Sequence, residues 1–122
     1  MAHEDVRALA EAEFDGLLHA LDRVGVGLTV LDPLAAGAPN AVFPNNWFST
    51  HADGTLVLYP MLTPSRRVER DPDMAERMRR EGFLVERVVD LSPLEGDQRA
   101  LEGTGSLVLD RDRALAFAAL SP

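Results

Sequence analysis

The chain has 122 residues, of which 46% are hydrophobic and 26% charged, so its composition is that of a globular domain and not of a disordered segment. Twenty acidic residues against twelve arginines give a formal net charge of −8, which disfavours nucleic acid as a partner because such binding requires cationic side chains. The sequence contains no cysteine, which excludes disulfides, thiolate metal sites and a cysteine nucleophile within these residues.

Membrane and cofactor classes are also disfavoured. No apolar run approaches the roughly 20 residues of a membrane helix, and the acidic start of the chain is unlike a secretory signal, so we expect a cytoplasmic protein without a membrane partner. The three histidines are scattered and no phosphate loop is present, which argues for no metal, nucleotide or flavin cofactor.

The first predicted elements are a helix, a strand and a loop. Residues 4–24 predict the helix, because their apolar positions recur every three or four residues and Gly25 can supply a left-handed C-terminal cap. Residues 26–31 predict a short buried strand, and the proline-containing residues 32–39 predict a loop.

The middle of the chain predicts a hairpin, a helix and a strand. The hairpin covers residues 47–59, where Asp53 and Gly54 would supply the positive φ angles of a tight turn. Residues 71–82 predict a helix with proline at its first helical position, and residues 83–89 predict a strand.

A second hairpin is predicted over residues 107–117, with its turn at residues 110–113. The order helix, strand, hairpin therefore occurs twice, which indicates an α/β fold made from two copies of one unit. No internal boundary is evident, so residues 1–122 are expected to form one domain.

Two stretches combine residues that could bind a small polar group. In residues 43–48, Asn45 and Asn46 stand between aromatic side chains, and their amides can bind a planar urea, amide or guanidinium group. They could equally be turn residues that bond their own backbone. In residues 102–106, glycines on both sides of Thr104 allow close approach of the backbone to a ligand, although a plain solvated loop explains them equally well.

A third stretch, residues 64–70, contains the adjacent Arg66 and Arg67, which could bind a carboxylate together. The favoured alternative is a solvated face with a helical ion pair. His51 lies beside the first hairpin turn and is more simply an exposed histidine, because no partner for acid–base chemistry is identifiable near it.

Together these stretches resemble the citrulline-utilisation hydrolases of the pentein, or guanidino-group-modifying, superfamily, which also includes arginine deiminases, dimethylarginine hydrolases and amidinotransferases. The likeness runs from about Phe14 to the last residue and rests on residues 43–54, 59–67 and 101–107. It implies a partial α/β propeller of about two ββαβ-like modules. It also implies a mechanism in which a cysteine thiolate attacks the ureido or guanidino carbon, a histidine protonates the leaving nitrogen and a carboxylate orients that histidine.

The resemblance assigns Glu102 to the histidine-orienting carboxylate. It also assigns Asn46, Arg66, Arg67 and Gly103 to substrate binding, and Asn45 is added to them because of its amide side chain. Arg67, with Arg66 as the neighbouring alternative, would bind the α-carboxylate of an amino-acid substrate. Asn46 stands where deiminases have an aspartate, and a neutral amide suits a neutral ureido group, which favours citrulline over arginine. Residues 104–106 lack the second acid of the relatives, which leaves any role of that acid unfilled.

The family's catalytic histidine and cysteine lie in a C-terminal half. We therefore expect residues 1–122 to be a truncated domain that is inactive alone and that self-associates or pairs with a C-terminal half. The alternatives are a non-catalytic module that binds an amino acid or docks on a partner chain, and a gene fragment without function.

Overall fold

The computed structural model of the protein describes residues 3–32, 34, 38 and 40–119. The chain forms two compact units, Met1–Asp32 and Pro33–Pro122, which are described separately here. Most of the predicted loop over residues 32–39 lies outside the described residues.

The first unit contains one helix, α1 (His3–Arg23), as predicted. Gly25 has a φ of +80°, which confirms the left-handed cap. The N–H of Gly25 donates to the carbonyl of Asp22 at 2.9 Å, and the N–H of Val26 donates to the carbonyl of Leu21 at 3.1 Å. These two bonds are the pair that closes a helix at a left-handed glycine.

The predicted strand over residues 26–31 is wrong, because this segment has no strand conformation. Its apolar side chains are not buried either, since Val26, Leu28 and Val30 are 45%, 40% and 54% exposed. A strand is stable only when neighbouring strands take up its hydrogen bonds, and none of the described strands pairs with this segment.

The second unit contains a three-stranded sheet in the order β1 (Phe48–Thr50), β2 (Thr55–Leu58) and β3 (Arg87–Asp90). β1 and β2 are antiparallel and form the predicted hairpin, whereas β2 and β3 are parallel. Two helices connect β2 with β3, namely α2 (Pro64–Arg67) and α3 (Met74–Arg80).

The rest of the second unit consists of short elements. They are a first 3₁₀ helix (Pro44–Asn46), a second 3₁₀ helix (Ser92–Asp97), α4 (Gly103–Ser106), β4 (Leu107–Asp110) and β5 (Leu115–Ala118). β4 and β5 form the predicted second hairpin as a separate two-stranded antiparallel sheet.

The turn of the first hairpin differs in one respect from the prediction. Gly54 has the expected positive φ of +75°, but Asp53 does not, so the prediction for Asp53 is wrong. Its carboxylate instead accepts the N–H of Thr55 at 3.0 Å and pairs with Arg87 at 3.1 Å. Asp53 therefore stabilises the turn through its side chain and connects the turn to β3.

α3 begins at Met74, later than predicted, because the carboxylate of Asp71 accepts the N–H of Asp73 at 2.8 Å and forms a turn first. The prediction of Pro72 at the first helical position is therefore wrong. β3 also begins later than predicted, at Arg87. The four residues of β2 pair with residues 87–90, so residues 83–86 have no partner strand in β2.

The hydrophobic core of the second unit involves β2, the segment that follows it, and α3. Leu56 and Met61 are fully buried, and Trp47, Tyr59 and Met78 are between 4% and 6% exposed. β1, β2, α3 and β3 form one ββαβ unit, so the α/β class is confirmed, but the described residues show no propeller. None of the described helices is long and apolar enough to cross a membrane.

Candidate functional site

Two glutamates bind consecutive backbone amides directly after β2. The N–H of Met61 donates to Oε1 of Glu95 at 2.7 Å, and the N–H of Leu62 donates to Oε1 of Glu102 at 3.3 Å. The N–H of Leu101 also donates to the carbonyl of Pro60 at 3.0 Å, which holds the backbone before Glu102 against the same segment. The end of β2 thus positions both carboxylates.

Each of these glutamates also pairs with an arginine of α2. Oε2 of Glu102 lies 3.5 Å from Nη1 of Arg66, and Oε2 of Glu95 lies 3.2 Å from Nε of Arg67. The side chains of Arg66 and Glu95 are only 14% and 12% exposed, so water screens these pairs less than it screens surface pairs. Met61 and Leu62 therefore lie beside two parallel glutamate–arginine bridges.

Each bridge has one further charged partner, and the two resulting groups differ in net charge. Arg66 also pairs with the buried Glu69 at 3.1 Å, so Arg66, Glu69 and Glu102 form an acidic triad with a formal charge of −1. Glu95 also pairs with Arg70, so Arg67, Arg70 and Glu95 form a basic triad with a formal charge of +1. The site is thus negative beside Glu102 and positive beside Arg67.

The guanidinium of Arg67 is held by one edge only. Its Nε donates to the carbonyl of Met61 at 2.9 Å, and its Nη2 donates to the carbonyl of Leu62 at 3.2 Å. No described residue is bonded to Nη1, and Arg67 is 34% exposed. The edge formed by Nη1 and Nη2 can therefore bind a carboxylate through two parallel hydrogen bonds.

The two asparagines pack against α4. Nδ2 of Asn45 donates to Oγ1 of Thr104 at 2.8 Å and to Oδ1 of Asn46 at 3.2 Å. A Cβ added at Gly103 would collide with the carbonyl of Asn45, and one at Gly105 would collide with the side-chain amide of Asn46. The glycines thus allow close approach between α4 and the first 3₁₀ helix, and Gly103 also lies against the ring of Tyr59.

The comparison with protein-family models gives a match over residues 1–122, the whole chain, to the model described as N,N dimethylarginine dimethylhydrolase, eukaryotic. The chain belongs to this family. Comparisons with curated proteins and with solved structures gave no significant match. The dimethylarginine dimethylhydrolase family is part of the pentein superfamily, which confirms the expected superfamily and not the citrulline branch within it.

In this member of the dimethylarginine dimethylhydrolase family, the residues selected from the sequence lie in neighbouring contacts. Glu102 pairs directly with Arg66, and Leu62 connects Glu102 to Arg67 because it donates to one and accepts from the other. The asparagines contact residues 103–105, next to Glu102. The favoured alternative for this stretch is correct in the ion pair of Arg66 with Glu69, whose side chains are 14% and 2% exposed, and residues 64, 65 and 68 of the stretch are exposed.

Glu95 and Arg70 were not predicted as site residues. Arg70 was part of the arginine-containing stretch, but Glu95 lies in a polar segment without a motif. A separation of 25 residues between the two means that only the folded chain brings them together.

His51 is partly buried and lies outside these triads. Its Nε2 lies 3.0 Å from Oγ of Ser49, which in turn lies 2.9 Å from the hydroxyl of Tyr59. Nη1 of Arg111 lies 3.4 Å from Nδ1 of His51. No described carboxylate is bonded to His51, so the third group that would orient a base is missing from its contacts.

An open hollow of about 370 Å³ lies between α4 and the hairpin of β4 and β5, lined by residues 104–108 and 117–119. None of the six residues assigned from the sequence lines it, although Thr104 and Gly105 border both places. The ion pairs beside Met61 and Leu62, and not this hollow, are therefore the candidate site in this member of the family.

Proposed function

We propose that residues 1–122 hold the substrate of a hydrolase that cleaves a terminal carbon–nitrogen bond in the guanidino group of a methylated arginine. The observation that carries the proposal is the charge division at Leu62, whose N–H donates to Glu102 of the acidic triad and whose carbonyl accepts from Arg67 of the basic triad. A cationic guanidinium and an α-carboxylate are the two ends of such a substrate. The family match supports the same class.

For N,N-dimethylarginine, water would replace dimethylamine at the guanidino carbon and leave citrulline. Asn45 and Asn46 bind the guanidino group, and the carboxylate of Glu102 orients the histidine that protonates the leaving amine. Arg67 binds the α-carboxylate with its second edge. Arg66 is the weaker candidate for that role because Glu69 and Glu102 already occupy its guanidinium.

Gly103 contributes its backbone to the substrate-binding side of α4. The thiolate nucleophile comes from outside residues 1–122, because this sequence has no cysteine. We therefore expect the purified 122-residue chain to bind substrate without releasing dimethylamine or ammonia, as measured by an amine-release assay.

A second candidate substrate is citrulline, and the observation that favours it is the neutral amide of Asn46. A neutral ureido group needs hydrogen-bonding partners but no opposing charge. The acidic triad favours the cationic substrate instead, because a net negative charge beside the ligand stabilises a guanidinium.

Ligand titration by NMR tests the proposal with N,N-dimethylarginine, citrulline and ornithine, which lacks the guanidino or ureido group. We expect dimethylarginine to bind on the order of tenfold more tightly than citrulline, as one partly screened charge predicts, and ornithine to bind least. A preference for citrulline would support the second candidate. Equal, negligible binding of all three would refute both.

Asn46→Asp sharpens the test because it adds a negative charge beside the ligand. The affinity for dimethylarginine should rise and that for citrulline should fall. Asn40→Asp is the matched control, since Asn40 is exposed and lies outside the contacts of the site. Identical effects of the two variants would contradict the role of Asn46.

A further inference from the structure

We propose that Arg70 is a specificity-determining residue that keeps the charge of Arg67 available for the α-carboxylate of the substrate. The inference rests on the proposed function, since it concerns the carboxylate end of that substrate. Arg70 acts through Glu95 and does not itself contact the ligand.

The contacts of Glu95 show how this works. Oε1 of Glu95 accepts bonds from the N–H of Met61 at 2.7 Å and from Nη2 of Arg70, while Oε2 lies 3.2 Å from Nε of Arg67. The carboxylate is therefore shared between two arginines. If Arg70 were absent, the negative charge of Glu95 would offset the positive charge of Arg67 alone, and Arg67 would attract a carboxylate less strongly.

Burial assigns different roles to the two arginines. The side chains of Arg70 and Glu95 are 15% and 12% exposed, whereas Arg67 is 34% exposed and has an edge without a described partner. Nε of Arg70 is buried and donates to no described residue. The guanidinium pairs with Glu95 through Nη2 instead. Arg70 thus lies behind Glu95, and Arg67 presents the remaining positive charge.

The experiment compares two ligands that share the same dimethylguanidino group, N,N-dimethylarginine and its decarboxylated analogue. NMR titration gives the affinity of the 122-residue chain for each. In Arg70→Gln, the affinity for dimethylarginine should fall on the order of tenfold, as expected for one charge a few ångström away in a partly buried site. The affinity for the decarboxylated analogue should change less than about twofold, because it carries no carboxylate.

Two further variants separate charge from structure. Arg70→Lys retains the positive charge and should keep most of the affinity for dimethylarginine. The double variant Arg70→Gln with Glu95→Gln removes one charge of each sign, so the formal charge of the triad, Arg67 included, returns to +1 and affinity should recover. A purely structural role for Arg70 predicts no recovery in the double variant.

The outcomes distinguish this inference from the proposed function. If the unmodified chain binds neither ligand, or binds both equally, the assignment of Arg67 to the α-carboxylate fails. If it prefers dimethylarginine and Arg70→Gln retains that preference, the role of Arg70 is refuted. Loss of affinity in Arg70→Gln without recovery in the double variant would also refute it. Thermal unfolding of the same samples identifies a variant that is not folded. If Arg70→Gln does not fold, the affinity of the double variant for dimethylarginine decides whether Arg70 has the proposed role.

Discussion

Replacing Gly103 by alanine should destabilise the second unit without changing a charge. The added Cβ would lie closer to the carbonyl of Asn45 than the 3.0 Å below which real Cβ contacts are essentially absent, and 3.1 Å and 3.2 Å from two ring carbons of Tyr59. Because Tyr59 is 5% exposed, its ring has little room to move. The first 3₁₀ helix and α4 must therefore separate.

The expected size follows from two opposing effects. Overpacking of a tight contact costs about 1–3 kcal/mol. The lower entropy of the unfolded alanine chain offsets this by about 0.4–1 kcal/mol. The centres of these two ranges leave a net loss of about 1.3 kcal/mol, which should lower the melting temperature by roughly 5–10 °C in a unit of this size.

Thermal and urea unfolding followed by circular dichroism measure this loss. The matched control is Gly96→Ala, because a Cβ at Gly96 meets no atom within 4 Å in the described structure. The control should be neutral or slightly stabilising. A Gly103→Ala chain as stable as the control would show that α4 does not pack closely on Asn45.

Three further predictions concern the site, the pH dependence and the core. Gly105→Ala should leave stability nearly unchanged, because its Cβ meets the movable side chain of Asn46. The displaced amide should reduce the affinity for dimethylarginine severalfold in NMR titration. Unchanged affinity would contradict the role of that amide. Hydrogen bonds from the side chain and backbone of Thr55 lower the pKa of Asp53 below its ordinary value of 3.8, so its contribution to stability is present above that pH and is lost as pH falls through the lower folded pKa. The melting temperatures of the unmodified chain and Asp53→Asn should therefore differ above pH 3.8 and converge below it, whereas a constant difference would refute the assignment. Leu56→Ala should cost about 2–5 kcal/mol in urea unfolding because Leu56 is fully buried, and a loss below about 1 kcal/mol would indicate a looser core.

Local backbone requirements could be predicted from the sequence. Gly25 and Gly54 both have the positive φ expected at a helix end and a hairpin turn, since few other residues adopt it without strain. The strand at residues 26–31 could not be predicted reliably, because its stability depends on a pairing partner that a local apolar pattern does not reveal. Pro72 was misplaced because the side chain of Asp71 forms a turn that competes with the start of the helix.

The candidate site also contains residues that could be predicted from the sequence and others that could not. The sequence pointed to Glu102, the asparagines and the paired arginines through the resemblance of their stretches to a family, and the structure brings these stretches into contact. The contact between Arg66 and Glu69 was available from helical spacing. Glu95 was not, since a glutamate in a polar segment gives no local indication that it will bind an amide 34 residues away.

The bridges beside Met61 and Leu62 also constrain the length of the chain. Consecutive amides meet Glu95 and Glu102, and consecutive arginines of α2 meet the same two carboxylates. A one-residue insertion or deletion between Leu62 and Arg66 would rotate both guanidinium groups away from both carboxylates at once. A length change in the exposed turn between β4 and β5 would disturb no such register, so the connection of β2 to α2 is the less tolerant of the two.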